Sequence, residues 1–336
     1  MAILNRLYPI AMVLSLTGCY EDFDPQTDTE PVLCVNSLIT AGEPVEVSVS
    51  RTWMFTDEDA AVDHRVDDAS VAIYANGVMA GAGYIPQEGD HIRIVADSQT
   101  FGMAEAEVTV PVSVSSGAVE WAASVTNKWY GRTDESTDLD MQAHVVFDMK
   151  ANLTISDPPG VANYYQFAYQ VFCRFPDGDT FWQPDEQEAI LYPGSFRYEA
   201  EPIFAEHIGV FESVTGSDAD GFTVFTDRQF SGKEYTLHLH FKDMSYDVRS
   251  KEYDESLLDW GIELLLSSVS PSYYNWANYR WQSENGMLGD FSDIGLGDPI
   301  WGYSNVSTGA GVVAAQSHAV YRINLKEFLK QNIFNK

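Results

Sequence analysis

YYQFAYQVFCRF, residues 164–175, is the stretch that decides the fold of this chain. Its apolar side chains recur at every second position: Tyr165, Phe167, Tyr169, Val171, Cys173 and Phe175. Because successive side chains of a strand point to opposite faces of a sheet, this period predicts a long strand with one buried face. Asp177-Gly178 follows and predicts a turn that brings the chain back.

The same alternation precedes this stretch and predicts a small β-sandwich over residues 31–111. Valines alternate with polar residues over 45–50, and Val71 to Tyr74 leads into Asn76-Gly77, a strong hairpin signal. Two further strands are predicted at 92–95 and 107–110. We expect an immunoglobulin-like or transthyretin-like sandwich, in which the acidic stretch 57–68 forms a long loop.

Residues 112–336 predict a larger, mainly β-sandwich domain with one or two short helices. A long strand is expected over 144–156, and 222–226 is expected to pair with Tyr235 to Phe241, whose odd-numbered side chains would point inward. The spacing of apolar residues predicts a helix over Ser272 to Glu284 and a shorter one over Leu325 to Asn332.

The first eighteen residues have the parts of a lipoprotein signal peptide. Arg6 supplies the positive charge, Leu7 to Leu16 are mostly apolar, and Leu16-Thr17-Gly18-Cys19 has the form of a lipobox. The apolar run is about half of the roughly 20 residues that a membrane-spanning helix needs. We therefore expect a lipid on Cys19. The alternative is an ordinary cleaved signal peptide with a chance cysteine.

Residues 19–30 are acidic, with few apolar side chains, and predict an extended tether. Two or three acyl chains on Cys19 would hold the protein firmly to a membrane, since one chain alone binds only marginally. Glu21, Asp22 and Asp24 directly behind the cysteine resemble a surface-export signal. We expect an outer-membrane lipoprotein that faces the cell exterior and carries no cofactor besides this covalent lipid.

The composition restricts the partners and the state of the cysteines. The chain has 336 residues and a formal net charge of −31. This excludes nucleic acid as a partner, since binding it requires a basic face. Cys34 and Cys173 could pair in an oxidising compartment, but they lie in separate apolar runs, which favours two separate buried thiols.

No motif in the sequence indicates catalysis: GxSxG, a P-loop, HExxH and GxGxxG are all missing. We therefore expect no enzyme and assign no catalytic residue. His238 and His240 would project from one strand face, where they could bind a metal or simply face solvent. Asp218 begins a segment like a calcium loop but lacks the closing glutamate. We assign no metal site.

Two sets of residues are candidates for binding. Tyr273, Trp276 and Trp281 recur at helical spacing and could stack on a sugar ring, or pack against a sheet. The segment 304–311 is rich in small residues that permit close backbone approach, so it could contact a partner or form a plain turn. Its candidate contact residues are Ser304, Asn305, Gly309 and Gly311.

Several of these segments together resemble one family. The lipobox is followed in order by VLCVNSLITA (32–41), VDDASV (66–71), GKEYTL (232–237), LSSVS (266–270) with Tyr273-Tyr274, and PIWGYSNVSTGAG (299–311). This series is similar to the Bacteroidota lipoproteins classed as domain of unknown function DUF4249. The resemblance implies a surface lipoprotein whose gene often neighbours that of a TonB-dependent transporter, and it carries over no catalytic residue.

The expected function is a non-enzymatic binding subunit that docks on a β-barrel membrane protein, most simply a TonB-dependent transporter, and helps to capture a nutrient. A surface protein that binds or cleaves glycans through the aromatic residues at 273–281 is the alternative. A structural or adhesin subunit is a second alternative, although no polymerisation strand is evident.

Overall fold

The computed structural model describes residues 30–53, 64–81, 83–129, 141–174, 180–182, 191–192, 194–197, 201–207, 223–249, 259–285, 302–329 and 331. Within these residues the chain is mainly β, which confirms the predicted fold class. The strands are numbered β1 to β17 in chain order and form three sheets. Among the described residues two α-helices accompany them, α1 (Pro271–Asn285) and α2 (Lys326–Leu329), together with two short 3₁₀ helices, Pro202–His207 and Asp227–Gln229.

A seven-stranded sheet forms the centre of the molecule. Its path runs β11-β10-β16-β17-β1-β2, with β14 paired to β10. The strands are β1 (Leu33–Thr40), β2 (Ser48–Arg51), β10 (Tyr164–Arg174), β11 (Thr180–Trp182), β14 (Val224–Thr226), β16 (Asp259–Val269) and β17 (Val313–Asn324). The pairing of β1 with β17 is parallel, and the other pairings in this sheet are antiparallel.

Two smaller antiparallel sheets face it. The six-stranded sheet contains β7 (Ser115–Ser116), β8 (Glu120–Trp129), β9 (Met141–Ser156), β12 (Leu191–Tyr192), β13 (Ser195–Phe196) and β15 (Glu234–Arg249). The four-stranded sheet has the order β4-β3-β5-β6 and contains β3 (Ser70–Ala75), β4 (Val78–Met79), β5 (His91–Ser98) and β6 (Gly102–Thr109). The predicted hairpin between β3 and β4 is confirmed, and both turn residues, Asn76 and Gly77, have positive φ.

One face of β17 packs into both hydrophobic cores. Val313 and Ala315 belong to the core beneath the four-stranded sheet, together with β1 residues such as Val35. Ile323, on the same face of the same strand, belongs to the core beneath the six-stranded sheet, together with Phe167. The two smaller sheets therefore cover the same face of the central sheet. The predicted domain boundary at residue 111 stays a prediction, and β1 and β17 pair across it.

The predicted pairing of 222–226 with 235–241 is wrong. β14 pairs with β10 in the central sheet, and β15 pairs with β9 in the six-stranded sheet. A short 3₁₀ helix, Asp227–Gln229, lies between the two strands and carries the chain from one sheet to the facing one. The predicted inward set in β15 is confirmed: Leu237, Leu239 and Phe241 are buried, and the half-buried Tyr235 packs against the same core.

Helix α1 lies on the opposite face of the central sheet. The Tyr273 hydroxyl donates a hydrogen bond to Gln166 Oε1, and Tyr274 packs its ring on Tyr164. Gln166 alternates with the inward-facing Tyr165 and Phe167, so α1 covers the outer face. The predicted helix over 272–284 is confirmed, and the predicted helix over 325–332 is present as the shorter α2.

Candidate functional site

An open groove lies between helix α1 and the edge of the central sheet formed by β1 and β2. Its volume is about 550 Å³, within the range of pockets for small ligands. We call it the helix groove. It is lined by Asn36, Ser37, Leu38, Glu46, Val47, Ser48, Tyr273, Trp276, Val312 and Ala314.

The floor of the helix groove is set by the parallel pairing of β1 with β17. Leu38 lies opposite Ala314 in the register, on the outer face of the sheet. The side chain of Leu38 is 48% exposed, while that of Ala314 is buried. Asn36 of β1 holds the start of β17 in place, because its Oδ1 accepts a hydrogen bond of 3.0 Å from the amide of Val312, the residue just before that strand. The floor is therefore apolar and firmly held.

The first turns of α1 form the wall of the helix groove. The rings of Tyr273 and Trp276 meet edge to face at 5.7 Å, and the Arg280 guanidinium lies 5.7 Å from the centre of the Trp276 ring. Burial raises the pKa of the Tyr273 hydroxyl. Two of the three predicted aromatic residues, Tyr273 and Trp276, thus come together in one groove.

The N-terminus of α1 is anchored on β17, which holds the wall in place. Ser270 is the N-cap residue: its hydroxyl accepts hydrogen bonds from the amides of Tyr273 (3.3 Å) and Ala315 (3.0 Å). The Ser272 hydroxyl donates to the Val313 carbonyl oxygen at 2.9 Å. Pro271 occupies the first helical position, where its lack of an amide hydrogen costs nothing.

The rim of the helix groove is polar. Glu46 and Ser48 are exposed there, and the Ser37 hydroxyl donates to the Glu46 carbonyl oxygen at 2.7 Å. Glu46 is the single charged residue among those that line the groove. Neither β1 nor β2 was singled out as a site from the sequence, because their approach to α1 depends on the pairing with β17.

The third predicted aromatic residue lies elsewhere. Trp281 packs against a small cluster formed by Val224 and Val269 on the outer face of the sheet, and it does not line the helix groove. The sequence allowed this residue either to stack on a sugar or to pack against a sheet, and in the structure Trp281 packs against the sheet.

The segment 304–311, which we call the clasp, joins two sheets. Ser307 exchanges backbone hydrogen bonds with Glu105 of β6, and Ala310 bonds in the same way to Leu33 and Val35 of β1. The Asn305 side chain bridges the amide and the carbonyl group of Val313, at 2.9 and 2.8 Å. The clasp therefore closes the gap between the four-stranded sheet and the central sheet.

The glycines of the clasp lie against the chain's own backbone. A Cβ on Gly309 would lie 2.6 Å from the Leu33 carbonyl oxygen, and one on Gly311 would lie 2.2 Å from that of Val35. Ser304 is exposed at the start of the segment. The glycines of the clasp thus allow it to approach β1 closely. Contact of the clasp with another protein stays a prediction.

The family described as Domain of unknown function (DUF4249) matches residues 20–322. The chain belongs to this family. Comparison with curated proteins and with solved structures gave no match. The helix groove and the clasp both lie within the part of the chain that matches DUF4249.

Some of the other positions predicted in this DUF4249 chain lie outside the described residues, and others have a defined environment. Cys19, Asp218 and the side chain of Cys173 lie outside the described residues. Cys34 is a half-buried free thiol that accepts a weak hydrogen bond of 3.4 Å from Asn36 Nδ2. In the described ranges, no helix has the length and hydropathy of a membrane span.

The two strand histidines project from the same face of β15 and differ in exposure: the His238 side chain is 64% exposed, and His240 is half-buried. The amide of His238 donates a 2.6 Å hydrogen bond to the buried carboxylate of Glu201, which Tyr235 also contacts through its hydroxyl. Burial lowers the pKa of His240, and nearby Lys150 adds to this effect. Among the described residues, no group of three or more His, Cys, Asp or Glu side chains could hold a metal ion.

Proposed function

We propose that this DUF4249 protein is a non-enzymatic binding subunit, anchored to the outer membrane by a lipid on Cys19. It captures a nutrient at the cell surface and works beside a TonB-dependent transporter or a similar β-barrel. The helix groove is the observation that carries this proposal. Its volume of about 550 Å³ and its apolar floor suit a small ligand.

The hydrogen bonds of the groove favour binding over chemistry. Asn36, Ser37 and Tyr273 all use their polar side-chain atoms to hold parts of the fold together. Groups engaged in this way can shape a site, but they are poorly placed to move protons. The lipobox and the acidic tether of residues 19–30 support the position at the membrane.

Affinity purification of the tagged full chain from gently solubilised outer membranes tests the proposal. We expect a β-barrel transporter to be recovered in a fixed ratio to the lipoprotein. A Cys19→Ser variant serves as the control, because loss of the lipid should remove the protein from the membrane and with it the partner. Recovery of the lipid-anchored protein alone, without any barrel, would count against docking.

A surface protein that binds or cleaves glycans is the second candidate. It is favoured by the position of Trp276 and Tyr273 beside the half-exposed Leu38, since flat aromatic and apolar surfaces suit sugar rings. A glycan array followed by calorimetric titration of the full chain and of Trp276→Ala would decide. Binding of no polysaccharide by the folded protein would remove this candidate.

A further inference from the structure

We infer that the helix groove takes a short peptide in which an arginine or lysine side chain stands next to apolar side chains. This inference rests on the proposed capture function and names the class of its ligand. It follows from three properties of the groove: an apolar floor, few available hydrogen-bonding groups and one negative charge at the rim.

The apolar part of the ligand would lie on the floor. Leu38, Val312 and Ala314 present carbon surface there, and Trp276 closes the wall. Leu38 is 48% exposed. A ligand that covers this side chain removes its apolar surface from water, and the hydrophobic effect therefore favours binding. Apolar side chains of a peptide supply the matching surface.

The few polar groups of the groove favour a peptide over a sugar. Asn36 is bonded to Val312, Ser37 to Glu46, and Tyr273 to Gln166. That leaves the exposed Ser48 hydroxyl and Glu46 carboxylate at the rim, and the Trp276 indole N–H on the wall. A polyhydroxyl ligand would lose water from many hydroxyl groups and find few partners, which costs binding free energy.

The charge at the rim selects a cation. Glu46 is the single charged residue of the lining, and the chain as a whole carries −31. A negative surface of this kind attracts cations and repels anions over several ångströms. The positive group of Arg280 lies against the Trp276 ring and is not part of the groove lining. An ammonium or guanidinium group can therefore pair with Glu46 while its neighbours cover Leu38.

Calorimetric titration of the full chain in mild detergent tests the inference. The probes are a capped tetrapeptide with one arginine among leucine and phenylalanine residues, the same peptide with glutamine or glutamate in place of arginine, and a neutral trisaccharide. We expect the arginine peptide to bind at least about fivefold more tightly than the glutamine peptide, and high salt to reduce the difference.

Two variants test whether the peptide binds in the helix groove. Trp276→Ala should weaken binding about thirtyfold, because the indole forms the wall against which the peptide lies. Leu38→Lys puts a positive charge on the floor and should weaken binding of the arginine peptide at least about tenfold. The matched control is Val320→Lys, because Val320 is 50% exposed on the same face of the central sheet but does not line the groove. It should bind as the unchanged protein does.

The inference is overturned if the trisaccharide binds more tightly than the arginine peptide, or if the three peptides bind equally. It also fails if Leu38→Lys and Val320→Lys behave alike. These outcomes leave the proposed membrane function untouched: a barrel recovered with the lipoprotein, together with no peptide binding, would refute only the ligand class.

Discussion

Gly311 rests directly on the backbone of Val35. A Cβ on Gly311 would lie 2.2 Å from the carbonyl oxygen of Val35 and 2.8 Å from its amide nitrogen, and the φ of Gly311 is +110°. The preceding residue, Ala310, exchanges backbone hydrogen bonds with Leu33 and Val35 at 2.8 Å. Only glycine fits where the clasp meets β1, because a side chain would clash with backbone atoms that are themselves held in the central sheet.

Gly311→Ala should therefore destabilise the protein. We expect the free energy of unfolding to fall by about 2 to 4 kcal/mol, since the substitution adds both a clash and an unfavourable backbone conformation. Chemical denaturation of the purified protein measures the change. Gly81→Ala is the control, because a Cβ there meets nothing within 4 Å and the φ is not positive, so its effect should stay within about 0.5 kcal/mol.

Ser270→Ala should loosen the wall of the helix groove. The substitution removes the N-cap of α1 and leaves the amide of Ala315 without the hydroxyl that accepts its hydrogen bond. We expect a loss of about 2 kcal/mol in the free energy of unfolding, measured by chemical denaturation. Ser283→Ala, on an exposed residue of the same helix, is the control. Equal effects of the two substitutions would show that the cap contributes nothing of its own.

Alkaline pH should destabilise the fold through buried tyrosines. Burial raises the pKa of Tyr165 far above 10.0, and its hydrogen bond to Asp157 adds to the shift. Burial also raises the pKa of Tyr169 and Tyr273. Below pH 10 both the folded and the unfolded chain keep these protons. Above it the unfolded chain releases them first, so the free energy of unfolding should fall as the pH rises.

Denaturation curves recorded from about pH 8 to about pH 11 check this effect. Tyr165→Phe should make the fall with pH shallower, because one proton that the folded state retains is no longer present. The substitution also removes the hydrogen bond to Asp157, so the comparison concerns the slope with pH and not the absolute stability. If the slope of the unfolding free energy with pH stayed unchanged, groups other than Tyr165 would be responsible for the loss of stability at alkaline pH.

Cys19→Ser should separate the protein from the membrane. A serine cannot carry the proposed thioether-linked lipid, and residues 19–30 have few apolar side chains with which to hold a bilayer. We expect radioactive palmitate to label the unchanged protein and not the variant, and the variant to move from the membrane fraction to the soluble fraction. Cys34→Ser should keep both the label and the membrane location. Labelling of Cys19→Ser would place the lipid elsewhere.

Local sequence signals predicted the individual elements well. Asn76 and Gly77 adopt the positive φ values that their hairpin requires, and β10 buries Tyr165 and Phe167 as the alternation indicates. The alternation is imperfect along that strand. Phe172, on the opposite face, is also buried and lies beneath the Arg322 guanidinium, 5.9 Å from the ring centre.

Long-range pairing could not be predicted from the same signals. β1 and β17 are joined by contacts between residues 276 positions apart, such as Asn36 with Val312, and nothing in either strand alone specifies a parallel partner. The helix groove depends on this pairing, because it brings Leu38 beside Ala314 in the groove that Trp276 also lines. The aromatic half of the site was therefore visible in the sequence, while its floor was not.

Because strand β17 contributes to both hydrophobic cores, it affects when the chain can fold. Val313 and Ala315 complete one core and Ile323 completes the other, so neither can close until residues 313–324 are available. Pairing across some 276 positions is slow to form, because a long loop must close before its contacts stabilise it. The nascent chain should thus stay unfolded during synthesis, which is the state that the proposed export across a membrane would require.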